Sequence, residues 1–257
     1  GTEPRLKPWR RTRAGALPGQ SLVALDPPRQ LIRHVPCGED GPTQERALVD
    51  KALAWVEPGQ VWVADRNVAT PRWIFGVVAR GGHVAVREHA STLPWVAAGP
   101  VRAVGRCETG VLSEQESQIA DEQGAVLTLR RIILELDRPT REGEQVIVVL
   151  PTLPVTVTAA AIADLYRGRW GIEGAFQDLT VILQCEPDTL GYPPAALFAF
   201  CLAGMAYHVL RLTRAALGAA HGTEKVEREV SSYSLAQELA KVFTGMAIAL
   251  PAEEWKA

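Results

Sequence analysis

Cysteine is scarce and scattered in this chain. Cys37, Cys107, Cys185 and Cys201 are its only four, with no Cys-x-x-Cys pair and no histidine at zinc-finger spacing. That pattern argues against a disulfide framework or a zinc module, and it fits reduced thiols in a cytoplasmic protein. An excess of one charge is missing too. The 27 Lys and Arg against 29 Asp and Glu leave a net charge of -2, which excludes a globally basic nucleic-acid coat but not a local basic face. No basic stretch leads into an apolar one at the start, so no signal peptide is expected. The longest apolar run, Ala195 to Leu210, is interrupted by Gly204 and His208 and is short for a bilayer span. It is expected to be a buried helix, with no membrane partner. Internal repeats and low-complexity tracts are lacking as well.

What is present centres on residues 159–186, AAIADLYRGRWGIEGAFQDLTVILQCE within its flanks. As one continuous helix it places Leu165, Ile172, Phe176, Leu179 and Leu183 on an apolar stripe at three- and four-residue spacing. Tyr166, Arg169 and Glu173 then fall within an arc of roughly 60° on one edge of that helix. A phenol, a guanidinium and a carboxylate in line suit a surface that holds a phosphate beside a metal ion. The same spacing also describes an ordinary amphipathic helix with a surface Arg–Glu pair four residues apart.

Earlier in the chain, a basic segment carries Arg5, Lys7, Arg10, Arg11 and Arg13 against a single acid, Glu3. It can be a solvated face or a grip on phosphates. Residues 21–26 and 30–35 read as two strands across a Pro27-Pro28-Arg29 link of hairpin length. A helix is expected over 43–56, with Thr43 as its N-cap and Ala47, Leu48, Ala52 and Trp55 buried. The short apolar strand 60–64 ends on Asp65 and runs into Arg66-Asn67. A strand that delivers an aspartate at its C-terminal end is how sheets present acids to a cleft. The alternative is an aspartate that caps the turn after it. A helix over 70–80 and a strand over 83–87 follow.

From about residue 88 to 154 the chain turns β-branched, with Gly, Pro and charge clusters between the runs, and is read as a mostly β insertion. Trp95 within it can pack in a core or hinge, or stack on an unpaired base. Glu88 and His89 have no third ligand near them in sequence, so they are not read as a metal pair. Beyond the central stretch, helices are expected over 195–219 and 234–249, with a charged loop between. Cys201 and His208, seven apart on the first of these, read as packing with one satisfied imidazole rather than an acid–base pair.

Tyr166, Arg169 and Glu173 match the Tyr-x2-Arg-x3-Glu part of the signature of DDE transposases. With EQVIVVLPTLP before them and CEPDTLGYPPAALFAF after them, and with VWVADRNVAT earlier, the chain resembles the insertion-sequence-4 family of those enzymes. The signature's following lysine would stand at Thr180, so any backbone contact of that lysine is lost here. The resemblance spans about residues 3 to 215. It implies an α/β fold of the RNase H-like class, interrupted by the β insertion: an N-terminal part over 1–88, the insertion over 89–155 and a C-terminal helical part over 156–257.

It further implies a DNA transposase, a polynucleotidyl transferase that cleaves transposon ends and joins them to target DNA with Mg²⁺ or Mn²⁺ bound by carboxylates. Asp65 and Glu173 would be the catalytic, metal-ligating acids. Tyr166, Arg169, Arg66 and the basic Arg10, Arg11 and Arg13 would hold double-stranded DNA, in a protein that pairs as a homodimer when active. The family's first aspartate lies on a strand upstream of the segment that begins here at residue 3, so that strand and acid are expected to be missing. Asp26 and Asp40 are poor substitutes, one ending a strand that should run antiparallel to the first, the other in a turn. Strand transfer by this chain is therefore not expected. Two further readings stand beside this one: a DNA-binding remnant without chemistry, and an RNase H-like nuclease.

Overall fold

A computed structural model of the chain describes residues 20–38, 48–89, 93–185 and 193–249. The expected Thr43 cap, Asp40 and the basic Arg10, Arg11 and Arg13 lie outside them. The chain divides into two compact units, residues 1–42 with 171–257, and residues 43–170.

The first unit opens with four short strands, β1 (Gln20–Ser21), β2 (Ala24–Asp26), β3 (Leu31–His34) and β4 (Cys37–Gly38), paired antiparallel as β1 with β4 and β2 with β3. The expected strand over 21–26 is thus split at Leu22–Val23. Asp26 is held by Arg29 at 2.7 Å, whose hydrogen bond keeps the carboxyl below the usual aspartate range.

The second unit contains α1 (Val49–Leu53), β5 (Val61–Ala64), α2 (Pro71–Val78), β6 (His83–Arg87), β7 (Trp95–Ala98), β8 (Arg102–Cys107), β9 (Gly110–Ala120), β10 (Val126–Leu136), β11 (Val146–Pro151) and α3 (Ala159–Arg167). In α1 the buried residues are Val49, Ala52 and Leu53, while Trp55 lies beyond the helix and is half-buried. Thr70 starts α2 by accepting the Trp73 amide at 3.2 Å, and Pro71 follows at a position that needs no amide hydrogen.

The strands form one mixed sheet in the order β5-β6-β11-β10-β9-β7, with β8 also pairing β9. Only β5 and β6 run parallel. The other pairings are antiparallel, so the β-rich stretch continues the sheet through the β6–β11 ladder. Helix α3 lays Ala159, Ile162, Ala163 and Tyr166, spaced as one helical face, on Ala85, Leu112, Ile132, Leu134 and Val149. At the start of β9, Gly110 leaves no room for a side chain, because a Cβ there would run into the Glu135 carbonyl. Gly110→Ala should cost about 1–3 kcal/mol through overpacking, read as a lower urea midpoint; an unchanged midpoint would refute the close approach.

The expected single helix over 159–186 is not continuous. Helix α3 ends at Arg167, a 3₁₀ turn covers Gly168–Trp170, and α4 (Gly171–Gln177) gives way to a π turn over Asp178–Ile182. The apolar stripe changes accordingly. Leu165 and Phe176 are exposed, whereas Tyr166, Ala175 and Leu179 are buried. Two glycines, Gly168 and Gly171, flank the break, and glycine is a poor helix former.

The first unit resumes with α4 and continues through α5 (Pro193–His221), α6 (Thr223–Glu229) and α7 (Ser232–Ala249). Helix α6 occupies part of the stretch expected as loop. The core of this unit joins Ile32, Ala175, Leu179, Ala203 and Tyr207. Helix α5 covers the helix expected over 195–219 but, contrary to expectation, is not buried. From Ala195 to His221 it is long and apolar enough to cross a membrane, and 22% of its most apolar window is buried. One such helix among the described residues does not make a membrane protein. His208 accepts the Ile32 amide at 3.0 Å and is the satisfied imidazole that the sequence suggested, while Cys201 is exposed.

Candidate functional site

Strands β5 and β6 are parallel with Ala64 opposite Val86, so the residues that follow, Asp65 and Arg87, leave neighbouring strands at the same end. Asp65 starts a 3₁₀ turn over Arg66–Val68, and its side chain accepts the Arg66 amide at 2.7 Å. It therefore performs the capping role considered for it, and its carboxylate stays at the strand end.

Arg87 was not singled out from the sequence. Its guanidinium meets Glu144 at 2.5 Å, and the same carboxylate accepts from Arg66 at 3.1 Å. Glu144 comes from the turn between β10 and β11, which Thr140 shapes by accepting the Glu144 amide at 3.2 Å. Since β11 pairs with β6 and places Val149 opposite Arg87, that turn reaches past the end of β6. The hydrogen bond from Arg87, with Arg66 behind it, holds the Glu144 carboxyl below the usual glutamate range. Burial works to lower the Arg87 pKa, but Glu144 more than offsets it and the net direction is up.

Tyr166 arrives from the last turn of α3. It is 8% exposed, with the Arg169 guanidinium 5.8 Å from its ring centre and hydrogen-bonded to its hydroxyl. Burial pushes the phenol above its ordinary value, and Asp65 adds to that, while Arg169 and Arg87 pull it back. The phenol is therefore a neutral hydrogen-bond donor at physiological pH. Asp65, Arg66, Arg87, Glu144, Tyr166 and Arg169 thus form one electrostatic cluster at the end of the parallel strand pair. Three guanidiniums and two carboxylates meet there. Arrangements of this kind hold phosphates through charge-assisted hydrogen bonds.

Glu173 belongs to the other compact unit, on α4, where it is exposed. Among the described residues, no three His, Cys, Asp or Glu side chains are grouped so as to hold a metal ion. Asp65 is a hard oxygen donor of the right chemistry for Mg²⁺ or Mn²⁺, but the nearby Glu144 is taken up by two arginines. The donors among the described residues do not complete a metal centre.

Two other candidates from the sequence resolve into structure. The Trp95 ring lies under the Arg131 guanidinium at 5.1 Å, and Arg131 also binds Glu88 at 2.7 Å. That gives Trp95 a place in the sheet's own packing and engages Glu88 in an ion pair. Thr180, where the signature has lysine, turns its hydroxyl back to the Phe176 carbonyl at 2.9 Å. The signal for Arg87 was readable: HVAVR, like VWVAD, is an apolar strand run that ends on a charge. Glu144 gave no such signal, because its partners are fixed only by the β6–β11 register.

No family model matches the chain, and no curated protein matches it.

Proposed function

We propose that the chain is the RNase H-like catalytic region of a DDE transposase of the insertion-sequence-4 family. It binds double-stranded DNA, the transposon's terminal repeats and its target, through Arg66, Arg87, Arg169 and Tyr166. One observation carries this reading. The Asp-Arg-Asn turn and the Tyr-x2-Arg pair, far apart in sequence, fold into a single charge cluster. An incidental surface salt bridge gives no reason for that convergence. Asp65 is the acid of this cluster with the chemistry for Mg²⁺ or Mn²⁺, Glu173 on the other unit is the second acid that the resemblance implies, and two copies would join two ends in the cytoplasm.

A second reading, a DNA-binding chain without chemistry, is favoured by the Glu144 carboxylate, which two arginines engage instead of leaving it open to a cation. Fluorescence anisotropy with a duplex across a salt series tests DNA binding. Arg87→Ala and Arg169→Ala should each weaken binding several-fold and make the salt slope shallower by about 1. Unchanged affinity in both variants would sink both readings. Plasmid nicking with Mg²⁺ separates them: nicking abolished by Asp65→Asn supports the transposase, whereas DNA binding with no nicking leaves the remnant.

A further inference from the structure

Helix α4, which carries Glu173, has little of its own to fix its direction. It is seven residues long, well under the ~12–15 residues at which an isolated helix holds in water. Gly171 and Gly174 weaken it further. A π turn follows it, and the chain leaves that turn through Gln184 at φ 51°, a left-handed value that side chains disfavour. The direction of α4 is therefore set by what it packs on.

Two layers hold it, both within the first unit. The apolar layer is the core in which Ala175 and Leu179 meet Ile32 of β3 and Ala203 and Tyr207 of α5. Apolar contact is non-directional, so this layer sets depth rather than rotation. The polar layer runs through Arg211 and Gln30. Arg211 donates to Gln30 Oε1 at 2.6 Å and to the Tyr207 hydroxyl at 3.2 Å, with its guanidinium 5.5 Å from the Tyr207 ring centre. Gln30 in turn donates to the Pro27 carbonyl at 2.8 Å, which closes the turn between β2 and β3. The same Nε2 lies against the first residue of α4, 3.7 Å from where a Cβ on Gly171 would stand. Asp178 of the π turn is 3.7 Å from the guanidinium, beyond hydrogen-bond distance, so Gln30 is the partner that directs Arg211. Gln30 keeps this place at φ 54°, in the left-handed region that costs a non-glycine residue free energy.

We infer that Gln30 and Arg211 are positioning residues that aim α4 and, through it, Glu173, which lies two residues beyond the Gln30 contact. Arg211 is anchored on Tyr207 and fixes the Gln30 amide. That amide is closed onto Pro27 and presented to Gly171, whose missing side chain lets it come close. A roll of α4 about its own axis would break this contact while leaving the apolar layer intact. The inference rests on the transposase reading for what Glu173 does, and on the first unit alone for how α4 is held.

Hydrogen exchange of the full chain, read by mass spectrometry over residues 171–182, tests the hold on α4 without reference to activity. Gln30→Gly suits a positive φ, so the backbone relaxes while the amide is lost. Arg211→Ala removes the anchor and keeps the amide. Each should speed exchange over 171–182 about tenfold or more, the loss of one hydrogen bond to a charged group, with the β9 and β10 amides unchanged. Plasmid nicking reads the consequence. In Gln30→Gly the rate at saturating plasmid should fall about tenfold with KM unchanged, a split that general destabilisation does not produce. Exchange over 171–182 that neither substitution alters overturns the inference. Faster exchange with undiminished nicking overturns the role toward Glu173. A wild type that does not nick removes the transposase reading and that role together, while the exchange still decides whether Gln30 and Arg211 set α4.

Discussion

Arg130→Ala should lower the stability of the 43–170 unit by about 3–5 kcal/mol, the loss expected when one partner of a buried ion pair is removed. Arg130 is one of the few buried charged side chains, at 8% exposure. Its Nε meets Glu114 at 2.5 Å across the β9–β10 ladder, and its Nη2 donates to the other oxygen of the same carboxylate at 3.1 Å. The remaining guanidinium nitrogen donates to the Val157 carbonyl at 2.7 Å, just before α3. One side chain therefore joins two strands to the segment that aims Tyr166.

Truncation strands the Glu114 carboxylate and uncaps a carbonyl in a place water reaches poorly, which is why the loss exceeds that of an exposed pair. Urea unfolding followed by tryptophan fluorescence reports on this unit, which holds Trp55, Trp62, Trp73, Trp95 and Trp170. Glu114→Ala should cost less once Arg130 is already alanine, as coupled partners do in a double-mutant cycle. A loss below about 1 kcal/mol would show the pair to be of surface strength.

What the sequence made legible followed from short-range chemistry. The runs VWVA and HVAVR, with their punctuating Pro-Gly and Gly-Gly, mark β5 and β6 to within a residue, and Thr70-Pro71 marks the start of α2. Asp65 and Arg66 could be singled out because they follow such a run, and Tyr166 and Arg169 because their spacing puts them on one edge of a helical stretch. The errors arose where tertiary packing decides. Period 3.6 over 159–186 cannot register the two glycines that break the helix, so Leu165 and Phe176 were placed inside and lie outside. Helix α5 misled for the opposite reason. An apolar run says that a surface seeks cover, not that the chain itself supplies it. Arg87 and Glu144 needed the order β5-β6-β11, a long-range pairing that no local window contains.

Glu144→Gln should strengthen DNA binding several-fold and steepen its salt dependence. In the wild type the Glu144 carboxylate neutralises Arg87 and Arg66, the two cations closest to Asp65 along the chain and the sheet. Removing that charge releases Arg87 and Arg66 from their shared carboxylate, so the site's net charge becomes more positive by one. Each guanidinium released to a phosphate adds about 0.9 to the slope of log affinity against log salt, so an increase of one to two is expected. The cost in stability is small, about 1 kcal/mol or less, because the pair is partly open to solvent.

Acid should mimic the substitution. The Glu144 carboxyl is held below its ordinary value, so its contribution to stability is complete above an unfolded pKa of about 4.3 and fades as pH falls through the lower folded value. In Glu144→Gln this part of the acid dependence should vanish. Anisotropy at neutral pH across a salt series, with urea unfolding from neutral pH downward, separates the two effects. Weaker DNA binding by Glu144→Gln would mean that the carboxylate positions the arginines for phosphate rather than competing with it, and Glu144 would then belong to the DNA grip itself.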